Sequence, residues 1–337
     1  MGEIVKRYIP AMSIAAVILC IGIFVPARGS GAEAPEKVRI AFSTMTLPVA
    51  PWWIARDKGY FADEGIDGEI TYIRGAGTIV QAMIGGNIQV AYIGAPPIAA
   101  AAASGAALTV VAVPINRMDY VIVTRQRGAD AGWLKGKRFA ISRIGDSSEI
   151  ATRVSLERMG IDPGAVKMMS IGGSPDRIAA LRSGNVDAAI LSATEVIGLE
   201  NSEFHTVFDL AKAGIEYPFD VLSVTKTYAA QKRRTVLGVI RAFIRGVKFL
   251  RTNKQETLQI SARWLRNPNT KSLERQWQHV AFDLYQLAPY PTEAGFTLAL
   301  RGMAQVSPKV GELRMADIVD HSFLDELKRT NLFDETR

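Results

Sequence analysis

A chain of 337 residues is longer than one compact core usually organises, so two lobes are expected. Its 48% hydrophobic and 22% charged residues exclude a disordered or fibrous chain. The formal charge of +7 raises the question of a nucleic-acid partner, but no stripe of interleaved Arg and aromatic residues occurs. The densest basic cluster, Lys232-Arg233-Arg234, opens an amphipathic helical stretch, so no nucleic-acid partner is expected.

Residues 1–32 read as a signal peptide. Lys6 and Arg7 precede an apolar run over 11–25, and Ser30-Gly31-Ala32 supplies small residues at the cleavage-determining positions. The alternative is a retained anchor, although the run is short of the roughly 20 residues that span a bilayer. The sole cysteine, Cys20, lies in this run and follows Leu19, where a lipid-anchored cysteine wants a small residue. Cleavage would leave a mature chain with no disulfide, thiolate metal ligand or Cys nucleophile. It would also remove a net +2 (Lys6, Arg7 and Arg28 against Glu3), leaving +5 of the original +7.

In chain order, a β-prone strand over 38–43 leads through a loop to a helix over 51–58. Pro51 suits its first turn, and Gly59 suits the left-handed residue that ends it. After Gly65 come a strand over 69–73, the Gly75-Ala76-Gly77 loop and a helix running to Gly85-Gly86. A third strand over 89–93 enters Gly94-Ala95-Pro96-Pro97. Residues 108–113, the Pro114-Ile115-Asn116-Arg117 stretch and a strand over 120–124 then lead into a second series: strand 138–142, helix 147–159, strand 166–170, helix 175–183 and strand 187–191. A return connection over 217–225 precedes helices over 229–252, 255–266, 272–288, 292–305 and 315–329, punctuated by Pro268, Pro289, Pro291 and Pro308.

The second series repeats the first. Ile40-Ala41-Phe42-Ser43 recurs as Phe139-Ala140-Ile141-Ser142, Gly65-Ile66-Asp67 as Gly160-Ile161-Asp162, and Gly86-Asn87-Ile88-Gln89-Val90-Ala91 as Gly184-Asn185-Val186-Asp187-Ala188-Ala189. The offsets are 99, 95 and 98, in the same order. Strands alternating with helices of this length imply parallel β-α-β units. The expected architecture is two α/β lobes, 36–116 plus 219–330 and 117–218, joined by two crossings. In open α/β sheets ligands sit beyond the carboxyl ends of the strands, so the loops after matching strands should line an interlobe cleft.

The stretch Pro51-Trp52-Trp53-Ile54-Ala55-Arg56-Asp57-Lys58-Gly59-Tyr60-Phe61-Ala62-Asp63-Glu64-Gly65-Ile66-Asp67 resembles the A-x-D/E-x-G-Y/L-F-x-x-x-G-I/L pattern of the nitrate/sulfonate/taurine-type solute-binding proteins of ABC importers. The segment 81–97 is similar to that family's L-x-x-G-x-x-D-x-A-x-x-G-x-P, with Gln89 where Asp is common, while Asp187 keeps the Asp in the second copy. Asp317-Ile318-Val319-Asp320-His321-Ser322-Phe323-Leu324 resembles its closing helices, so the likeness covers nearly all of 38–330. It implies a two-lobed periplasmic-binding-protein fold of the second type, with a C-terminal helical extension. It further implies an extracytoplasmic, monomeric protein that delivers a small organic ligand, anions among the candidates, to a membrane permease and its ATPase. No cofactor is implied.

The candidate site residues follow from loop position. Ser43 and Thr44 leave the first strand, with a turn role as the alternative. Trp52 and Trp53 cannot face the same way, so one is assigned to the core and Trp52 to the cleft wall. Gly75 and Gly77 allow close backbone approach at a helix start that favours an anion. Gly94, Ala95 and Pro96 form either a preformed wall or a rigid helix entry. In the second copy Ser147 or Asp146 caps a helix, and Arg143 is either an anion partner or a solvated surface residue. Thr194 and Glu195 end the last strand of that lobe, and Glu195 would repel an anion and welcome an amine. Asn116 and Tyr217 lie near the crossings.

Catalysis is not expected. The same fold hosts pyrimidine synthases and menaquinone-pathway enzymes, and the pyrimidine synthases need a Cys-rich iron-binding run. His205, His279 and His321 have no metal-binding spacing, and neither a G-x-S-x-G elbow nor an evident acid/base pair occurs. A ligand-sensing subunit shares every feature named here.

Overall fold

The computed structural model describes residues 34–199, 203–267 and 270–334. The signal-peptide reading and Pro268 fall outside them. The first repeat forms β1 (Glu36–Phe42), α1 (Ala50–Asp57), α2 (Tyr60–Asp63), β2 (Ile66–Tyr72), α3 (Ala76–Ile84), β3 (Val90–Ile93) and α4 (Ala95–Ala103). Then come β4 (Leu108–Ile115) and β5 (Tyr120–Thr124), the latter opening the second lobe. The second repeat forms β6 (Arg138–Ile141), α5 (Ser147–Arg158), β7 (Lys167–Ser170), α6 (Ser174–Arg182), β8 (Ala188–Ser192) and α7 (Ala193–Gly198). It is followed by β9 (His205–Asp209) and β10 (Asp220–Thr225).

The strands form two five-stranded sheets, ordered β2-β1-β3-β10-β4 and β7-β6-β8-β5-β9. The repeat is visible in their register. Ile40 pairs with Val90 in one sheet, and the equivalent Phe139 pairs with Ala188 in the other. Gly65 and Gly160 both adopt positive φ, 70° and 72°, as do Gly86 and Gly184 at 75° and 74°. These turns require a conformation that a side chain disfavours, which is why the glycines recur at matching places. Gly59 is likewise left-handed, φ 74°, where α1 gives way to α2. The β-α-β units are parallel, β1 with β2 and β3 and β6 with β7 and β8. β10 runs antiparallel to β3 and β4, and β5 antiparallel to β8 and β9, because each crossing adds a reversed strand.

The C-terminal region is helical: α8 (Lys226–Gln231), α9 (Arg233–Thr252), α10 (Lys254–Leu265), α11 (Thr270–Gln278), α12 (Glu293–Ala304), α13 (Met315–Ile318) and α14 (Ser322–Lys328). The helix expected over 229–252 is two helices that meet at Lys232, which has left the helical conformation. The helix expected over 272–288 ends as a π-helical turn, His279–Leu284, and extended backbone resumes at Tyr285. The stretch 315–329 is also two short helices, α13 and α14. Among the described residues no helix is long and apolar enough to cross a membrane.

α9 buries Val236, Ile240, Phe243, Val247 and Leu250 at helical spacing against the first sheet's core. Each such side chain contributes about 2 kcal/mol of apolar burial. Trp52 and Trp53 are both fully buried, so the assignment of Trp52 to a cleft wall is overturned. Trp52 packs on Phe243, Tyr92 and Phe61, while Trp53 stacks on Trp264 of α10. The two indoles do face different ways. Both directions are occupied, because C-terminal helices cover the side that the sequence left open.

A second apolar core spans both lobes. It joins Ile98 of α4 and Leu108 of β4 to Phe139, Ile141 and Ile150 of the second repeat, through Phe296 and Met303 of α12. A Cβ added to Gly302 would lie 2.8 Å from Ile150, so α12 packs closely on α5. α12 therefore packs against both lobes along one side.

Candidate functional site: the interlobe junction

Gly94 N-caps α4, and a Cβ there would lie 3.1 Å from the Ser147 hydroxyl and 3.2 Å from the Phe219 carbonyl. Glycine at this place lets the loop after β3 touch the start of α5 in the other lobe. Tyr217, buried on the return crossing, donates its hydroxyl to Ser147 at 3.3 Å. Its backbone N–H reaches the Asn116 carbonyl at 3.4 Å, and the Ala95 N–H reaches Pro218 at 3.3 Å. Asn116 is buried; its amide donates to Thr292 at 3.0 Å while its Oδ1 has no partner. The structure thus gathers Gly94, Ala95, Asn116, Ser147 and Tyr217 where the crossings meet.

A cavity of about 200 Å³ lies beside this point, with Pro96 on one wall and Arg143 and Asp146 on another. Arg143 is 62% exposed and pairs with Asp146 at 3.2 Å, which fits the solvated reading of that residue. Gly75, φ 93°, N-caps α3, and the neighbouring Arg74 crosses to Asp176 of α6 at 3.1 Å. A Cβ on Gly77 would meet nothing within 4 Å, so no neighbouring protein group requires that glycine. Ser43 is half-buried and Thr44 exposed on the loop leaving β1. Neither belongs to the gathered group.

The second lobe's contribution centres on α7. The Thr194 hydroxyl is committed: it donates to Asp119 at 2.8 Å, as does Ser192 at 2.7 Å. Glu195 has one carboxyl oxygen, Oε2, buried without a partner. Burial pushes this carboxyl above its ordinary range, opposed by a Ser174 hydrogen bond and by the Arg177 charge. Arg177 is buried and spends its terminal nitrogens on the Gly172 carbonyl at 3.0 Å and Ser174 at 2.8 Å, leaving Nε unpartnered.

Several residues here were not picked out from sequence. Tyr120 begins β5 and packs edge-on against Phe219, with ring centroids 5.0 Å apart. Tyr120 is flanked electrostatically by Arg177 from its own lobe and by Asp220 from the other, and burial raises its hydroxyl pKa. Asp220 begins β10. Burial pushes its carboxyl up to about 7 despite a hydrogen bond from Tyr92, and the Asp119 charge adds to the rise. Asp119 behaves oppositely. Burial raises it, but hydrogen bonds from His279, Ser192 and Thr194 and the imidazole charge prevail, and the carboxyl stays below its ordinary range. The available signal was position: Asp119-Tyr120 and Phe219-Asp220 open the two strands that make the crossings.

Two sheets of matching order, two crossings and a helical extension define the two-lobed periplasmic-binding-protein fold of the second type. Solved structures share it. The periplasmic aliphatic sulphonate binding protein SsuA of Escherichia coli superposes with a TM-score of 0.67 at 19% identity, covering 83% of this chain and 96% of that one. The periplasmic nitrate-binding protein NrtA of Synechocystis PCC 6803 gives 0.68 at 13% identity, covering 88% and 90%. The model of the NMT1/THI5 like family matches residues 48–257, and the chain belongs to that family. Among curated proteins, the taurine-binding periplasmic protein of Escherichia coli (strain K12) is 27% identical over 167 residues, 49% of this chain and 50% of that protein. The putative binding protein YtlA of Bacillus subtilis (strain 168) is 26% identical over 152 residues, 43% and 46%. The chain thus matches about half the length of these curated relatives.

Proposed function

We propose that the protein is an extracytoplasmic solute-binding protein. In this reading a monomer captures a small organic ligand between its lobes and presents it to an ABC permease with its ATPase. One observation carries the reading. Two half-buried carboxyls whose pKa is raised, Asp220 beside Phe219 in the first lobe and Glu195 in the second, accompany an interlobe aromatic contact, Tyr120 on Phe219. Groups from both lobes become simultaneous ligand contacts only when the lobes are closed, so a solute would shift an open–closed equilibrium toward the closed form. The binding proteins similar to this chain support the role.

The charge inventory also bears on the solute. Arg143 faces solvent and is paired, and Arg177 is hydrogen-bonded within its own lobe. Glu195 Oε2 remains unpartnered. A buried acceptor without a donor is costly, and a ligand that supplies the donor removes that cost. Arg177 Nε is a matching buried donor without a partner, so we read the cleft as suited to a solute that carries a hydrogen-bond-donating nitrogen for Glu195 together with an acceptor, over a simple oxyanion. A thermal-shift panel of amines, pyrimidines, sulfonates, carboxylates and nitrate tests this. Stabilisation by a nitrogen donor is expected; stabilisation by sulfonates and nitrate alone overturns the charge reading. Turnover of one compound without stabilisation by any overturns the binding role.

A further inference from the structure

Helix α11 and the π-helical turn after it belong to the first lobe's core. Leu273, Val280, Ala281 and Leu284 pack in the same apolar cluster as Val38 and Ile40 of β1. Arg251 of α9 fixes the turn by donating to the Ala281 and Tyr285 carbonyls, each at 2.8 Å. From this anchored turn the His279 ring crosses to the second lobe, where Nε2 meets Asp119 Oδ1 at 2.7 Å. The other oxygen of Asp119 accepts from the Ser192 hydroxyl at 2.7 Å, the Thr194 hydroxyl at 2.8 Å and the Thr194 N–H at 3.3 Å. The Asp119 carbonyl accepts the Ala193 N–H at 3.0 Å. One residue thus holds the whole β8–α7 corner, and His279 holds that residue from the opposite lobe.

The far end of α7 is tied to the same segment. Ser272 and Arg275 of α11 both donate to the Gly198 carbonyl, at 2.9 and 2.8 Å. A Cβ on Gly198 would collide with the Gln276 side chain, so side chains of α11 lie directly against the α7 backbone. Between these two attachments α7 carries Glu195. The position of that carboxyl is therefore set by an element of the other lobe.

We infer that His279 is a positioning residue for the interlobe cleft: through Asp119 it seats α7, and it makes that seating depend on proton concentration. The consequence for solute capture rests on the solute-binding reading; the seating itself does not.

The charges around the ring give the direction. Asp119 faces Nε2, and Asp283 of the same turn faces Nδ1 at 3.3 Å. Among the elements packed on the turn, α9 presents Arg251 and α11 presents Arg275, both donating to carbonyls. Behind Asp119 lie the carboxyls of Asp220 and Glu195, each of which feels its charge. Burial lowers the His279 pKa, but hydrogen bonds and charge from Asp119, then Asp283, prevail and raise it. The ion pair is therefore complete above the lowered value of Asp119 and below the raised value of His279. As pH rises through the latter, the imidazole charge is lost and a single hydrogen bond from the neutral ring to the Asp119 carboxylate remains, so α7 loosens without detaching.

Amide hydrogen exchange over Ser192–Gly198, corrected for intrinsic rates, reads this directly, at about pH 5.5 and about pH 8.5. Protection there should fall several-fold at the higher pH, and by more than that of the Ile66–Tyr72 amides in the first lobe, which β1 and β3 separate from Asp220 of β10. His279→Gln, a neutral donor at any pH, should abolish the pH response. Equal protection at both pH values, or a pH response retained in the variant, overturns the inference. Should the variant fold poorly, imidazole NMR of the wild type decides: the His279 titration must coincide with the loss of protection. The experiment needs no solute, so its failure would leave the solute-binding reading standing, and a failed solute panel would leave this inference standing.

Discussion

Gln89 and Asp187 occupy the same place in the two halves of the fold, and each accepts the backbone N–H of the strand residue beside it. Gln89 Oε1 takes that of Arg39 at 3.0 Å, and Asp187 Oδ2 takes that of Arg138 at 2.8 Å. Gln89 also donates to the Gly86 carbonyl at 2.9 Å, while the Arg138 guanidinium donates to the equivalent Gly184 carbonyl at 2.8 Å. Asp187 pairs with that guanidinium, and the hydrogen bonds from Arg138 hold its pKa below the ordinary range. The family's usual Asp is thus a strand-tying residue in this chain, and its replacement at Gln89 leaves the Arg39 Nε buried without a partner.

Gln89→Asp should therefore stabilise the protein. Arg39 would pair with the new carboxylate and take over the Gly86 carbonyl, as Arg138 does in the second lobe. A partly exposed pair of this kind contributes about 0.5–1 kcal/mol. The midpoint of thermal unfolding should rise by about 2 °C for a chain of this size. A lower midpoint would show that Arg39 does not follow the pattern of the repeat.

The repeat, the strands and most helices were legible because their signals are local: alternation, helical period, and glycines where φ must be positive. β9 escaped notice because His205–Asp209 is a short, half-exposed edge strand whose place depends on pairing with β5. The π-helical turn escaped because the sequence period of 272–288 reads as one helix. The site was less legible still. Gly94, Ser147 and Tyr217 follow from loop position, whereas Asp119 and His279 are 160 residues apart in sequence and meet only through tertiary packing. Trp52 was misplaced for a related reason. Nothing near residue 52 signals that Phe243, on a helix far along the chain, covers it.

Trp52→Ala should cost about 3–5 kcal/mol, the range for emptying a large aromatic site in a packed core. Solute affinity of whatever fraction remains folded should be unchanged, because the ring is fully enclosed. Urea unfolding combined with calorimetric titration of the stabilising solute separates the two effects. A Trp52→Ala protein of normal stability and weakened binding would return the residue to the cleft.

α9 lies against α1 at Gly246, where an added Cβ would collide with the Pro51 carbonyl. Ala favours helices over Gly by about 1 kcal/mol, which would make Gly246→Ala stabilising on an exposed surface. The collision is with backbone, which cannot move aside as a flexible side chain can. The net effect should be a loss of about 1–3 kcal/mol, measured by urea unfolding. A gain in stability would mean that α1 and α9 separate freely.

Arg143→Ala tests the opposite kind of residue. Its guanidinium is largely exposed and its partner lies three positions along the same loop. Such pairs contribute about 0.5 kcal/mol or less, so the midpoint should move by no more than about 1 °C. Affinity for the stabilising solute should stay within about twofold. A loss of tenfold or more would make Arg143 an anion partner in the closed form.

Asp220→Asn should raise stability at neutral pH and weaken solute binding. The folded Asp220 carboxyl titrates at about 7 because it is buried. The unfolded chain gives up the same proton near pH 4. Between those values the folded state binds more protons than the unfolded state, so stability falls as pH rises, by up to about 1.4 kcal/mol per unit. Above about 7 the full penalty is present. Asn carries no such penalty, so the stability–pH curves of the two proteins should coincide below about pH 4 and diverge steadily toward neutrality. Parallel curves would mean that Asp220 is solvated. If the carboxyl instead serves to accept a donor from the solute, the stabilised variant should bind the solute more weakly. A residue that costs stability at neutral pH is then retained for what it recognises.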